Sequence, residues 1–460
     1  MNTRFTRALA FMALSISVSM AQLASPGLPE ENGLAPKTET IYINVPPTLN
    51  NTKTESLGVG IAANGNVIVG WEDDGDGLDD LEAVWTLFSP SGVSITPEMT
   101  ITTLNPELAG QTTPSKFLSY FRADGTPVSG YTSWGPKIKA NPFGDGIGMG
   151  ATSFALGQEV PELGPINLDA GGGGDFPAVQ LLTNDGQPIQ IVTGANDADA
   201  EPEGDIRIGD WGYLANGNVV IVGESRQEAD LVSRFGGGAP DRHAVYRIVD
   251  ASGKEVKAFS LVSEISDARV EMWHGVGVTK NGFGIRFSYG GRATVRLFDN
   301  AGKPTTGNLD LGTITGKEIA SGGGRGDGAG FHGNGTDAYV SVTAGTDEAG
   351  ARQAWVTVLN ADGSVRYSKG VFDDWDLAGP GRVDAAIDPA GKVVAVVSDA
   401  SGTFGDVPVI MGRILDATGA PMGSTFFVSE KETDFTAFAP SANPRIAWRN
   451  GFVAIVWESS

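Results

Sequence analysis

Seven short turns recur along this chain at near-regular intervals, most of them leading into an apolar run. They read Asn64-Gly65, Gly144-Asp145-Gly146, Asn216-Gly217, Asn281-Gly282, Asn334-Gly335, Ala390-Gly391 and Asn450-Gly451. Asn-Gly suits a two-residue type I′ hairpin, because both central residues there need positive φ. The runs that follow are short and β-branched, as in Val219-Val220-Ile221-Val222 and Val393-Val394-Ala395-Val396-Val397. Runs of this length and composition are buried strands rather than helices.

Six of the seven units carry a second turn with its own chemistry. These are Ser89-Pro90-Ser91-Gly92, Thr183-Asn184-Asp185-Gly186, Asp250-Ala251-Ser252-Gly253, Asp299-Asn300-Ala301-Gly302, Asn360-Ala361-Asp362-Gly363 and Asp416-Ala417-Thr418-Gly419. The strands before three of them share an arginine in register: Tyr246-Arg247-Ile248-Val249, Val295-Arg296-Leu297-Phe298 and Gly412-Arg413-Ile414-Leu415. Generic strand chemistry does not produce such a match, so each unit is one copy of a repeat of roughly four strands. The hairpin glycines from Gly65 to Gly451 recur on average about every 64 residues. A compact propeller blade takes only about 40–50, which leaves the surplus for loops. The expected fold is all-β, a seven-bladed β-propeller. The long first interval holds an extra turn, Arg122-Ala123-Asp124-Gly125, read as an insertion; as a degenerate unit it would make eight blades.

The last unit ends soon after one hairpin, and Thr40-Ile41-Tyr42-Ile43-Asn44-Val45 alternates as a strand does. That segment is expected to supply a missing outer strand, so that N- and C-terminal strands pair and no ring edge stays open. Over residues 40–460 the chain resembles bacterial secreted propellers whose blades read apolar-Asn-Gly-apolar, then Arg-x-aromatic/aliphatic-Asp-x-x-Gly. The resemblance implies a fold and is nearly silent on activity. The WD dipeptide pattern and the sialidase Asp-box do not recur, which disfavours those families.

Residues 1–21 read as a signal peptide: Arg4 and Arg7, an apolar stretch from Ala8 to Val18, and Ser19-Met20-Ala21 as a small-x-small cleavage site. Residues 22–38 read as a linker and 39–460 as the propeller domain. No later run approaches the ~20 apolar residues of a membrane span. Cysteine is absent, so no disulfide or N-terminal lipid-anchored cysteine enters the fold. Together these point to a secreted protein, extracellular or periplasmic, of bacterial type. The net charge of −23 becomes −25 once Arg4 and Arg7 leave with the leader. A field of that sign repels nucleic acid and anionic membranes.

Propeller geometry puts the tight turns on one face and the connections between second and third strands, or between blades, on the other. The second group is long here and includes Glu72–Glu82, Gly150–Pro177, Gly223–Arg242 and Thr343–Arg352. Long loops on a rigid scaffold are where binding is built. Among the tryptophans, Trp134, Trp211, Trp273 and Trp375 fall in loops or strand starts and are candidate sugar platforms; Trp71, Trp85, Trp355 and Trp457 fall in apolar strands and are expected in the core. The acidic loop after Trp71 resembles a calcium loop, with Glu72, Asp74, Asp76 and Asp80 as ligands, although Ala83 stands where the bidentate acid belongs. Arg325-Gly326-Asp327 matches an adhesion tripeptide in a glycine-rich stretch and carries no further support.

His243 and His274 are expected on the loop face of adjacent blades, near Arg242 and Tyr246; His332 is expected toward the opposite face. A histidine base, a tyrosine and an arginine that neutralises a carboxylate are what β-elimination on a uronic acid needs. Acids for a hydrolase are too many to rank, with Asp210, Glu224, Asp373, Asp374 and Asp376 all candidates. The leading expectation is therefore a recognition module that binds a glycan or another extracellular partner at the loop face. The alternatives are a polysaccharide lyase or glycoside hydrolase in the axial funnel, and a structural surface-layer protein.

Overall fold

The structure, a computed structural model, describes residues 7–15, 35–36, 41–45, 57–73, 82–100, 131–155, 176–193, 206–225, 243–263, 271–289, 291–316, 330–346, 352–374, 377, 380–399, 409–428 and 443–459. Three N-terminal strands come first: β1 (Arg7–Ser15), β2 (Ala35–Pro36) and β3 (Ile41–Val45). Blade 1 is β4 (Gly58–Ile61), β5 (Val67–Asp73), β6 (Glu82–Phe88) and β7 (Met99–Thr100). Blade 2 is β8 (Tyr131–Ala140), β9 (Ile147–Ala155), β10 (Phe176–Leu182) and β11 (Pro188–Thr193). Blade 3 is β12 (Ile206–Tyr213), β13 (Val219–Ser225), β14 (His243–Val249) and β15 (Glu255–Leu261). Blade 4 is β16 (Glu271–Thr279), β17 (Gly282–Tyr289), β18 (Arg292–Asp299) and β19 (Leu309–Asp310), with a one-turn helix α1 (Leu311–Thr315). Blade 5 is β20 (Phe331–Gly333), β21 (Ala338–Thr346), β22 (Arg352–Asn360) and β23 (Val365–Gly370). Blade 6 is β24 (Pro380–Ile387), β25 (Val393–Asp399), β26 (Val409–Leu415) and β27 (Phe426–Phe427). The C-terminal hairpin is β28 (Arg445–Arg449) and β29 (Phe452–Ser459).

Each blade is an antiparallel meander paired in chain order, so the β-propeller fold is as expected. The blade count is not. The four-stranded blades number six, against the seven expected, and no eighth is among the described residues. The seventh hairpin belongs instead to a five-stranded closing sheet, in which β29 pairs with β1 and β1 pairs with both β2 and β3. Ile41–Val45 thus lies against β1 and not against the C-terminal strand, as the expected closure required. The extra turn at Asp124-Gly125 lies outside the described residues.

First strands meet in cyclic order: β4 touches β8, β8 touches β12, and so on to β28, which touches both β24 and β4. A separate apolar cluster fills each gap between neighbouring sheets. Val356, Val358, Val393 and Met411 join blades 5 and 6; Val394, Ile414, Val453 and Trp457 join blade 6 to the closing sheet; Val69, Trp71, Ala454 and Val456 join that sheet to blade 1. Burying one such side chain contributes roughly 1.5–3 kcal/mol, so stability is spread around the circle rather than held in one core. Trp71, Trp85, Trp355 and Trp457 are all buried, as expected of core residues.

The turns differ from expectation in type. Positive φ at both central residues occurs only at Asn450-Gly451, with φ of 51° and 79°. At Asn64-Gly65 and Asn216-Gly217 only the glycine is left-handed, and the asparagine Oδ1 instead accepts from the amide two residues on. Each is a three-residue loop ending in a left-handed glycine, a shape that leaves asparagine in ordinary backbone. The second turns close similarly: Asp250, Asp299 and Asp416 each accept amide hydrogens from residues two and four ahead.

Candidate functional site

Both kinds of turn lie on the same face and hydrogen-bond to each other. Asn64 Nδ2 donates to Asp185 Oδ1 (3.0 Å), Asn184 Nδ2 to Asp145 Oδ1 (2.6 Å) and Asn216 Nδ2 to the Asn300 carbonyl (3.2 Å). The Arg449 guanidinium donates to the carbonyls of Asn141 (2.7 Å) and Gly144 (2.9 Å), tying the closing sheet to blade 2. These bonds brace neighbouring sheets against one another. From β4 to β29, every stretch outside the described residues joins a second strand to a third, or one sheet to the next. In antiparallel meanders those connections leave from the opposite end of the sheets.

Along the axis the first strands bring together charges that are far apart in sequence. A cavity of about 50 Å³ is lined by Lys137, Lys139, Asp210, His332, Asp384 and Arg445, with Gly58, Gly275 and Phe331 between them. Register shifts interrupt β8 between Trp134 and Lys137, β12 between Ile208 and Asp210, β16 between Met272 and Gly275, and β24 between Pro380 and Val383. A bulge re-aims the residues beside it; Lys137 and Asp210 stand directly after theirs and Asp384 one residue further on.

Two carboxylates repeat one geometry. Asp210 Oδ2 accepts from Lys139 Nζ of the preceding blade (2.7 Å) and from the Val276 amide of the next (2.6 Å). Asp384 accepts from His332 Nε2 of the preceding blade (2.9 Å) on Oδ1 and from the Ile446 amide of the closing sheet (3.0 Å) on Oδ2. Each carboxylate therefore clasps three successive first strands. Burial by itself raises the Asp384 pKa. The charge and hydrogen bond of His332, the charge of Arg445 and the Ile446 amide together carry it below the ordinary carboxylate value.

The residues expected to carry chemistry are placed elsewhere. His243 opens β14 and is 3% exposed; burial lowers its pKa, and Nδ1 has no hydrogen-bond partner. His274 is also 3% exposed and lies against Gly209, where an added Cβ would come 2.4 Å from Nδ1. Burial, with a smaller push from Lys137, lowers its pKa to about 3. Both imidazoles are neutral and shut away from solvent. The Tyr246 hydroxyl donates to the Gly302 carbonyl (2.6 Å) on the turn side of the next blade, and burial pushes its pKa up to about 12. Arg242 lies outside the described residues.

Trp211, expected as a sugar platform, is fully buried, and its Nε1 donates to the Lys137 carbonyl (2.7 Å). The reason is its place in β12, one residue past the bulge, packed against blade 2. Trp134 and Trp273 lie on the backbone of β8 and β16, beside their bulges. Trp375 lies outside the described residues, as do Asp74, Asp76 and Asp80 of the calcium loop; Glu72 is within β5, paired with Ala83. Among the described residues no group of three acidic or histidine side chains is arranged to hold a metal ion. Of the hydrolase candidates, Asp210 is taken by the axial clasp. Asp373 and Asp374 face Arg413, whose Nη2 reaches Asp373 Oδ1 at 3.3 Å. His332, expected on the turn face, is instead an axial residue.

No family model matches this chain, and no curated protein matches it. Solved structures of similar shape include a Dyadobacter fermentans protein of unknown function, 12% identical over 89% of this chain and 96% of that one, with a TM-score of 0.44. An α-L-arabinofuranosidase from Fusarium graminearum in complex with an iminosugar inhibitor is 11% identical over 81% and 95%, TM-score 0.43. A Penicillium chrysogenum α-L-arabinanase complexed with arabinobiose is 11% identical over 91% and 100%, TM-score 0.43. At these values the likenesses say nothing of what this chain binds.

Proposed function

We propose that this chain is a secreted recognition module, a propeller scaffold that binds a glycan or another extracellular partner on the face of its long connections. One observation carries the reading: the axial cavity holds about 50 Å³, and its two carboxylates are engaged as strand clasps. Ligand pockets for small molecules run to about 300–1,000 Å³, so the cavity is far too small for a saccharide unit. The tight turns of one face are bonded to one another, and the long connections that could shape a binding surface leave from the opposite face. The closing sheet, which stands where a seventh blade would, is read as the seventh position of that scaffold. Buried, neutral His243 and His274 and an engaged Tyr246 weigh against elimination chemistry.

The experiment is a glycan array run beside a reducing-end assay on the same polysaccharides. Binding without release of reducing ends or unsaturated uronate is expected. Trp273→Ala with Trp375→Ala should then weaken binding at least about tenfold, the scale of an aromatic anchor. Turnover of any polysaccharide overturns the reading.

A further inference from the structure

We propose that Asn450-Gly451 is a site of self-modification, at which the asparagine carboxamide closes onto the Gly451 amide and is converted to aspartate or isoaspartate. This concerns the turn face and does not depend on the loop-face reading. The step needs only water. The Gly451 nitrogen attacks Cγ of Asn450 and loses its proton, and Nδ2 takes up a proton and departs as ammonia, leaving a cyclic imide. Water then opens the imide at either carbonyl. Opening at Cγ gives aspartate. Opening at the main-chain carbonyl gives isoaspartate, with the chain running through the former side chain. Asparagine before glycine is the favourable case, because no side chain hinders the approach.

Asn32-Gly33 lies outside the described residues; five such pairs lie within them, and their hydrogen bonds separate them. Asn64, Asn216 and Asn334 each accept on Oδ1 from the amide two residues on, and donate from Nδ2 to Asp185, the Asn300 carbonyl and Asp337. Their attacking amides are engaged as well: Gly65 donates to the Ala62 carbonyl (3.0 Å), Gly217 to that of Leu214 (3.0 Å) and Gly335 to that of Val278 (3.1 Å). Gly282 lies in β17, paired with Thr279 and Asp299 and pressed against the Phe298 carbonyl. Asn450-Gly451 differs in both halves. Among the described residues neither the Asn450 carboxamide nor the Gly451 amide has a hydrogen-bond partner. Asn450 is exposed, and nothing stands within 4 Å of where a Gly451 Cβ would be. Rotation of the Asn450 main chain therefore brings nucleophile to electrophile without breaking a bond that either group makes. The product matters because of the residue before it. Arg449 pairs with Phe452 across the turn and donates to the carbonyls of Ile61, Asn141 and Gly144. Isoaspartate adds a methylene to the backbone of this turn, so the pair no longer closes and the guanidinium is drawn off blade 2.

The test is peptide mapping by mass spectrometry of the folded chain, aged in mildly alkaline water enriched in heavy oxygen. Conversion at Asn450 should run at least about tenfold faster than at Asn64, Asn216, Asn281 or Asn334, the factor for a step in which one or two hydrogen bonds need not break first. Its product should carry heavy oxygen and be labelled by an isoaspartate methyltransferase. In concentrated urea the five rates should converge. Equal rates in the folded chain, or faster conversion at one of the other four, overturn the proposal, as does an order of rates that urea leaves unchanged. Asn450→Gly keeps a residue that takes positive φ in the turn and removes the carboxamide. Ageing should lower the urea midpoint of the wild type and leave that of Asn450→Gly in place. An equal fall in both, or none in either, overturns the loosening of the closing sheet.

Discussion

His274 shows what one buried side chain does to the pH response of the whole protein. Its folded pKa is about 3, against 6.5 when exposed, and burial is the first cause. The unfolded chain therefore binds the extra proton as pH falls through 6.5, and the folded one does not. Stability tied to this group is fully present above pH 6.5 and is lost progressively below it, by about 2 kcal/mol at pH 5. His243 shifts in the same direction and adds to the loss. His274→Gln should flatten the dependence between pH 7.5 and 5, measured as urea midpoints at the two values. An unchanged slope would assign the response to other groups. The ring sits beside Gly209 because no larger residue leaves room for it.

At the scale of the element, the third strands show how far the repeat runs. Arg247, Arg296 and Arg413 are all buried, and each reaches a partner outside its own strand: Arg247 to Glu255 (2.9 Å), Arg296 to the Val262 carbonyl (2.9 Å) and Arg413 to Thr425 Oγ1 (3.1 Å) and Asp373. The shared arginine was legible because turn and strand chemistry is local. Arg413→Met should cost about 2 kcal/mol, the worth of hydrogen bonds to charged groups, read as a shift in denaturant midpoint. A variant as stable as wild type would reduce the repeat to coincidence of sequence. The axial clasps were not legible in the same way. His332 and Asp384 are 52 residues apart, and Lys139 and Val276 meet across two blade boundaries. A faint signal existed: Lys139, Asp210 and Asp384 each stand seven residues before a left-handed turn glycine, Gly146, Gly217 and Gly391. The bulges that turn those residues inward leave no mark in the residue pattern, and so the expected site went to the histidines nearest the loops.

For the molecule as a whole, the closing sheet decides how the circle is completed. β1 pairs with β29 from Ala8 opposite Ser459 to Ser15 opposite Phe452, and β3 reaches the sheet only through β1. A chain that starts at Gln22 should show faster amide exchange at those positions of β29 whose partners were in β1. Protection equal to that of the full chain would mean that β3 has moved up against β29. The same nine residues, Arg7–Ser15, fall within the segment that reads as an export leader. A strand held in a sheet is not available to be threaded through a membrane pore. If that segment serves as an export leader, ring completion and delivery compete for one stretch of polypeptide, and a precursor that folds early hides its own address.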